Sequence, residues 1–499
     1  MGRKITSLII ALLVMSVILS GCGTSQKKEE KNIPSEELCE ITIENMVLEG
    51  KNESLEQIEA LANEITVPAI GCRVKLIDCP IAEHEALMKK IQAGIEPVDL
   101  VETGLTTSLS ALVSSGVLMP LENLLEEHGK ELKEKEGRLL QATTIDGHIY
   151  AVAANLYCGR AEGIGYNADA AAQYGIAFPE QVDLDALTQI GKQLMEAGSG
   201  MYLTTQGNGD LSAFDSFYDM ETFGGEFNYG VIMDPVHNTQ IVNAYETEEY
   251  RKYCRILKQW RDAGYIPADS LITGRNGQDM FNSGESFFQF SSVSPGTEMN
   301  TVHKDLQFKE AYIPITENRL TTRLVQEFAW GITSQCEHPD KAMELLNLIY
   351  TNGQLANLLQ YGRENVEYTV IEDGVIRPVA NTEDASLYNS YFTIYGDTAQ
   401  MLHYESDSEI TMEDIRKYAK QSQTGMTFGY VFQADPVFAQ IREIQNVVHE
   451  YRPVLETGMA DDADQLLDEF ITALKAAGME EIIQENQKQL DVWLINQKK

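Results

Sequence analysis

The stretch Ile91-Gln92-Ala93-Gly94-Ile95-Glu96-Pro97-Val98-Asp99-Leu100-Val101 decides how the chain is built. Leu87, Met88 and Ile91 share one face at helical spacing, and Gly94 stops that helix. Val98 to Val101 then reads as a short buried strand. Upstream, Cys72, Val74 and Leu76 alternate with polar residues, as do Cys39, Ile41 and Ile43, which predicts two more strands. Between them Leu55, Ile58, Leu61 and Ile65 line a helix face, and Ser54 with Gln57 fits a capping box. Strand, helix, strand, helix, strand is the grammar of βαβ units and predicts a parallel sheet.

Downstream the texture stays mixed. Asp146-Gly147 sits between two short β-prone runs and predicts a tight hairpin. Asp185–Met195 and Glu248–Ala263 read as helices, and Phe287, Phe288 and Phe290 lie on a strand. Trp330-Gly331-Ile332 ends another strand, and Pro339 opens a helix whose apolar face carries Ala342, Leu345, Leu346 and Ile349. The end of the chain is helical. Asp435-Pro436 can start a helix with Phe438, Ile441, Ile444 and Val448 inside, and Gly478 splits a final pair.

The chain has 499 residues, with 76 Asp and Glu against 38 Lys and Arg, a formal net charge of -38. Acids outnumber bases two to one, which argues against a phosphate-backbone binder. A hydrophobic share of 43% is too high for a disordered chain and enough for a large core.

The first residues point to export. Arg3 and Lys4 precede an apolar run, Ile5 to Leu19, that is too short to span a bilayer. Leu19-Ser20-Gly21-Cys22 resembles the lipobox of bacterial lipoproteins, which implies a signal peptide over 1–21 and an acylated Cys22. Residues 22–37 are polar, with Lys27, Lys28 and Lys31, and read as a lipid-anchored tether. Six cysteines remain without a metal-ligand spacing. Cys72 and Cys79 either pair, as export permits, or are buried thiols.

Four stretches together resemble the sugar-binding group of extracellular solute-binding lipoproteins of bacterial ABC importers. They are the lipobox; Ile91 to Leu100, where Ile95 splits the usual Gly-Glu pair; Asp146 to Val152 with Gly165-Tyr166-Asn167-Ala168-Asp169; and Trp330 to Tyr350. Thr424 to Tyr430, Asp435-Pro436-Val437, Glu450-Tyr451 and Leu490-Asp491 with Trp493 are similar to the C-terminal extension of a subgroup that includes many complex-glycan importers. Tyr361 to Tyr368 keeps the frame of that subgroup's Tyr-Gly-Ile-Glu-Gly-x-x-Tyr but has Arg363 and Asn365 where the Ile and second Gly stand.

The resemblance implies an α/β, two-lobe, type II periplasmic-binding-protein-like fold with two or three hinge crossings. Lobe one would hold 38–152 plus 311–365, lobe two 153–310 plus 366–430, and a helical extension 431–499. It also implies two membrane permeases as partners, a separate ATPase, and residence on the outer face of the cell membrane. A monomer is expected, with no cofactor, no metal and no nucleic acid.

A sugar site needs aromatic faces for pyranose C–H groups and placed acceptors and donors for hydroxyls. Strand ends and crossings are where clefts form. Glu102 and Thr103 follow a strand end, with Glu102 either an acceptor or a solvated loop acid. Asn155 and Tyr157 stand at the first crossing. Of three Trp, Trp330 at the return crossing is the candidate platform or else hinge packing, while Trp260 and Trp493 have helix neighbours. Met46 and Glu49 lie in the first β–α loop, Ser292 follows the Phe-rich strand, and Arg160 is either a clamp for an acidic sugar or one half of an ion pair. No catalytic signature appears, and Gly163-Ile164-Gly165 lacks the third glycine of a dinucleotide fingerprint. The expected function is capture of an oligosaccharide by lobe closure, with a glycan-degrading surface enzyme or a ligand-presenting sensor as alternatives.

Overall fold

A computed structural model describes residues 38–48, 50–104, 106–205, 212–224, 227–268, 277–295, 297, 306–372, 374–379, 388, 394–405 and 410–497. The lipobox, with Cys22, and Glu49 lie outside these residues. The opening units form as their periodicity predicts. They are β1 (Cys39–Val47), α1 (Leu55–Ile70), β2 (Cys72–Pro80), α2 (His84–Gln92) and β3 (Leu100–Gly104). β1 runs parallel to β2 along its whole length and to β3 on its other side. Ser54 is the N-cap residue of α1, but its hydroxyl donates to Glu367 Oε1 and the expected side-chain cap is not made.

Short helices α3 (Leu109–Ser114), α4 (Glu122–His128) and α5 (Lys130–Glu136) lead to a hairpin of β4 (Thr144–Ile145) and β5 (His148–Ile149). Asp146 and Gly147 both have positive φ, as a type I′ turn requires. β6 (Val152–Ala153) then joins the edge of the first sheet.

A second sheet begins after residue 160. Its chain order runs β7 (Ala161–Asn167), α6 (Ala168–Tyr174), α7 (Leu184–Glu196), β8 (Tyr202–Thr204), the small β9 (Met220–Thr222) and β10 (Val231–Met233) pair, and α8 (Glu248–Asp262). α9 (Gly277–Asn282), β11 (Ser286–Val293) and β12 (Glu310–Pro314) complete it in the order β12-β7-β11-β8. Gly163 and Gly165 lie where β12 comes closest. A Cβ on either would sit about 2 Å from an oxygen, of Ile313 and Glu310 respectively. Strand packing, not a nucleotide, accounts for that Gly-x-Gly.

The chain returns through β13 (Arg319–Leu320) and α10 (Thr322–Gln326) to β14 (Phe328–Ile332), which enters the first sheet antiparallel to β3 and gives the order β2-β1-β3-β14-β6. α11 (Pro339–Thr351) and α12 (Gly353–Tyr361) cover one face of that sheet. A small sheet of β15 (Tyr368–Glu372), β16 (Val375–Pro378) and β17 (His403–Tyr404) follows, then α13 (Met412–Gln421) and β18 (Gln423–Thr424), which pairs with β13. The chain ends in α14 (Phe438–Glu456), α15 (Ala463–Ala476) and α16 (Met479–Gln497).

Three of the expected boundaries move. Residues 311–314, expected in the first lobe with 315–365, pair with β7 and belong to the second sheet. Tyr388 and Tyr395 pack in the first core with Trp330 and Leu346, so part of 366–430 sits with the first lobe. The C-terminal helices are not a separate layer. Ile444, Val448, Phe470 and Leu490 share one core with Tyr250, Trp260 and Phe288 of the second lobe. The reason is common to all three: long-range pairing decides membership, and local periodicity carries no record of it.

The six described cysteines are free. Cys72 and Cys79 lie seven residues apart on one strand, about 23 Å at the usual rise, and cannot bridge. Cys39 is the residue in register with Cys72.

Several acids are buried. Burial raises Glu136 to about 8 against a single amide bond from Ala153, and raises Glu221 and Glu456 to about 7. The folded state therefore holds protons that the unfolded chain has released, so their penalty is absent below about pH 4.5 and grows as pH rises to 8. The melting temperature should fall between pH 5 and pH 8, and Glu136→Gln should flatten that slope. A melting temperature that climbs across this range in thermal unfolding would contradict the assignment.

Candidate functional site

Because β1, β2 and β3 are parallel, their carboxyl ends emerge on one edge, at Val47, Pro80 and Gly104. This is the edge where α/β sheets bind ligands. Here it is largely covered by the chain itself. The Glu102 amide donates to Glu44 Oε2 (3.2 Å), and Glu102 Oε1 accepts the Ile394 amide (3.2 Å). Tyr395 donates to Asn45 Oδ1. Met46, Glu102 and Thr103 are buried, so these three expected contacts are internal in this conformation.

Trp330 is the clearest correction. It is 1% exposed, its indole N–H donates to the Ile394 carbonyl (3.0 Å), and the Tyr395 ring lies 5.6 Å away. Its register on β14 aims it into the core beneath α11 and α12. It packs the first lobe and offers no face to a sugar. Trp260 is packing, as expected, with its N–H on Thr188 Oγ1.

At the first crossing Asn155 Oδ1 accepts the Tyr157 amide and shapes the turn. The Tyr157 hydroxyl donates to Asp397 Oδ1 (3.0 Å), whose other oxygen is paired with Lys135 (2.5 Å). Both residues are half-buried, and they join the crossing to the segment after Tyr395.

The strongest convergence of polar side chains lies one step further along. Arg160 ends the crossing, and its backbone pairs with Arg319 of the return crossing. Its guanidinium bonds Glu162 Oε1 (2.9 Å) and Glu327 Oε2 (3.1 Å). Glu162, on β7, also takes the Ser292 hydroxyl at Oε2 (3.2 Å). Arg319 grips Asp219 through two bonds, of 2.9 and 3.3 Å. Asp215 and Tyr218 sit on the turn before β9 and face the same small cleft of ≈ 70 Å³, with Arg323 opposite.

Electrostatics bind this cluster together. Burial pushes the Asp215 carboxyl up to about 6, Glu162 adds to the rise, and Arg323 and Arg160 pull against it. Burial also opposes the Arg160 charge, but Glu162 and Glu327 outweigh it and hold the guanidinium above its ordinary value. The Tyr218 hydroxyl rises to about 12, chiefly through burial, and stays protonated as a donor.

The cleft therefore offers charged donors, charged acceptors and one phenol from both crossings and the second lobe. That set can exchange its internal bonds for hydroxyls of a ligand. Ser292 and Arg160 were candidates from sequence. Asp215, Tyr218, Asp219, Arg319 and Arg323 were not, because two segments 100 residues apart supply them. The only sequence sign was the local pattern Phe214-Asp215-Ser216-Phe217-Tyr218-Asp219, acids and aromatics interleaved.

Comparison with known proteins gives a consistent picture. Residues 71–368 match the family described as bacterial extracellular solute-binding protein, and residues 426–495 match a domain of unknown function, DUF3502. A carbohydrate ABC transporter substrate-binding protein of Streptococcus pneumoniae serotype 4 is 24% identical over 98% of each chain. The crystal structure of the N-glycan transport solute binding protein NgtS of Streptococcus pneumoniae superposes with a TM-score of 0.79 at 21% identity, over 92% of this chain and 100% of that one. The alginate-binding protein AlgQ2 superposes with a TM-score of 0.63 at 15% identity, over 91% and 98% of the two chains. Their two-lobe fold is the fold of this chain.

Since Trp330 is core and not platform, Trp330→Ala should cost about 3–5 kcal/mol in urea unfolding. Ligand affinity of the protein that remains folded should be unchanged, and a variant with full stability but weakened binding would restore the platform reading.

Proposed function

Because the chain belongs to the bacterial extracellular solute-binding protein family, we propose that it captures a carbohydrate, an oligosaccharide, between its two lobes and delivers it to two permease subunits of an ABC importer. The observation that carries this reading is the convergence of Arg160, Glu162, Asp215, Tyr218 and Arg323 at the crossings, around a space of ≈ 70 Å³ that must widen by lobe opening to take a sugar ring. Carboxylates and guanidinium groups in one place suit a ligand made of vicinal hydroxyls. The names of the relatives support the same class. One is a carbohydrate transporter's binding protein, and NgtS has been crystallised with Man5GlcNAc.

The mechanism is a shift in population. A ligand that touches residues of both lobes and of the crossings binds the closed form better than the open one, and the equilibrium moves by that difference. The permeases read the closed form. No bond in the sugar is made or broken, and no group in the cleft is asked to act as nucleophile or base. Acylated Cys22 holds the protein at the outer face of the membrane, and the lysine-bearing tether gives it reach. Among the described residues no helix is long and apolar enough to cross a membrane.

Titration calorimetry with Man5GlcNAc and shorter glycans should give saturable binding. Tyr218→Ala and Arg160→Ala should each weaken it at least tenfold, as contacts in a buried centre do. Phe438→Ala should not, because this ring at the start of α14, expected inside with Ile441 and Ile444, is exposed in the fold. Equal affinities for all three variants would remove the cleft from the binding site. Separately, Cys22→Ala should move the protein from the membrane to the soluble fraction, and retention on the membrane would refute the anchor.

A further inference from the structure

We propose that Glu44, Cys79 and His84 form a buried binding site for one divalent transition-metal ion of the zinc class, in the first lobe and apart from the carbohydrate cleft. Glu44 lies on β1, Cys79 on β2, and His84 opens α2. One carboxylate oxygen, one thiol sulfur and one imidazole nitrogen lie within 4.8 Å of one another. Tetrahedral zinc holds such donors at about 2.0–2.3 Å, hence roughly 3.5 Å apart, so the wider gaps close while the 2.7 Å Glu44–His84 contact opens by under 1 Å as the ion replaces its hydrogen bond. β1 pairs with β2 throughout, which fixes the strands that carry Glu44 and Cys79 side by side.

Charge gives the second argument. Glu44 is fully buried on the sheet face that also carries Leu87, Met88, Ile91 and Val101. Its bonds are from His84 Nδ1 (2.7 Å) and the Glu102 amide. A divalent ion held by one carboxylate, one thiolate and a neutral imidazole makes a site of zero net charge, which suits an apolar layer. Cys79 gives up its thiol proton to water, His84 carries its proton on Nε2 in place of Nδ1, and one proton leaves per ion.

Access gives the third. Cys79, with Asp78, Pro80, Glu83 and Leu87, lines a cavity of ≈ 600 Å³. An ion can reach the sulfur from there, and a water from the same space can complete four-coordination. The sequence hides this site, since the spacings from 44 to 79 and from 79 to 84 fit no metal motif.

The test is titration of the chelator-treated full chain with Co²⁺, followed by displacement with Zn²⁺. One ion per chain, a thiolate-to-cobalt charge-transfer band, and a zinc-dependent rise in melting temperature are expected. Cys79→Ala and His84→Ala should abolish the band, and Glu44→Gln should weaken binding at least tenfold. Glycan affinity should persist in Cys79→Ala, which separates this site from the cleft. If Cys79→Ala fails to fold, zinc protection of Cys79 from alkylation in the native chain, read by mass spectrometry, decides instead. Absence of the band, its persistence in Cys79→Ala, or unprotected Cys79 would overturn the proposal.

Discussion

Parallel strands that finish on a shared edge govern what this protein can do. β1, β2 and β3 cannot be joined by tight turns, so each is followed by a helix that returns over a face of the sheet. Both faces become core, and polar side chains gather where the strands stop. Asn45, Asp78, Glu102 and the Glu44–His84 pair all sit at or near that rim. The same rim receives Ile394 and Tyr395 from a segment some 300 residues further along the chain. The surface a ligand could meet on the first lobe is thus set by contacts remote in sequence.

Legibility follows the range of the interaction. The first five elements, the Asp146-Gly147 turn and the amphipathic helices at the end all declare themselves through local periodicity and turn chemistry, and they form where expected. Trp330 shows the opposite case. Its scarcity and its place at a crossing argue for a ligand contact, yet the register of β14 turns it inward and Tyr395 closes over it. The cleft residues fare likewise. Arg160 is visible as a charge at a crossing, but Asp215, Asp219 and Arg323 gain meaning only when β7, β9 and the return crossing meet. The capping box at Ser54 reads well and is still overridden, because Glu367 offers its hydroxyl another partner.

An acidic chain must also decide where its carboxylates go. Among the described residues most are at the surface, in a shell that keeps a highly charged surface hydrated. A minority are inside, and each has a distinct arrangement. Glu162 and Glu327 are matched to Arg160, Glu456 bonds Ser212 and Tyr250, and Glu136 has a lone amide. Glu162 and Glu327 face a guanidinium, whereas burial raises Glu136 and Glu456 with no cation among the described residues hydrogen-bonded to either.

The sharing of one core between the second lobe and the last three helices bears on how the molecule is made. Leu490 closes a cluster whose other members begin at Ile164. The ribosome presents those partners far apart in time, so the second core cannot close until almost the last residue is delivered.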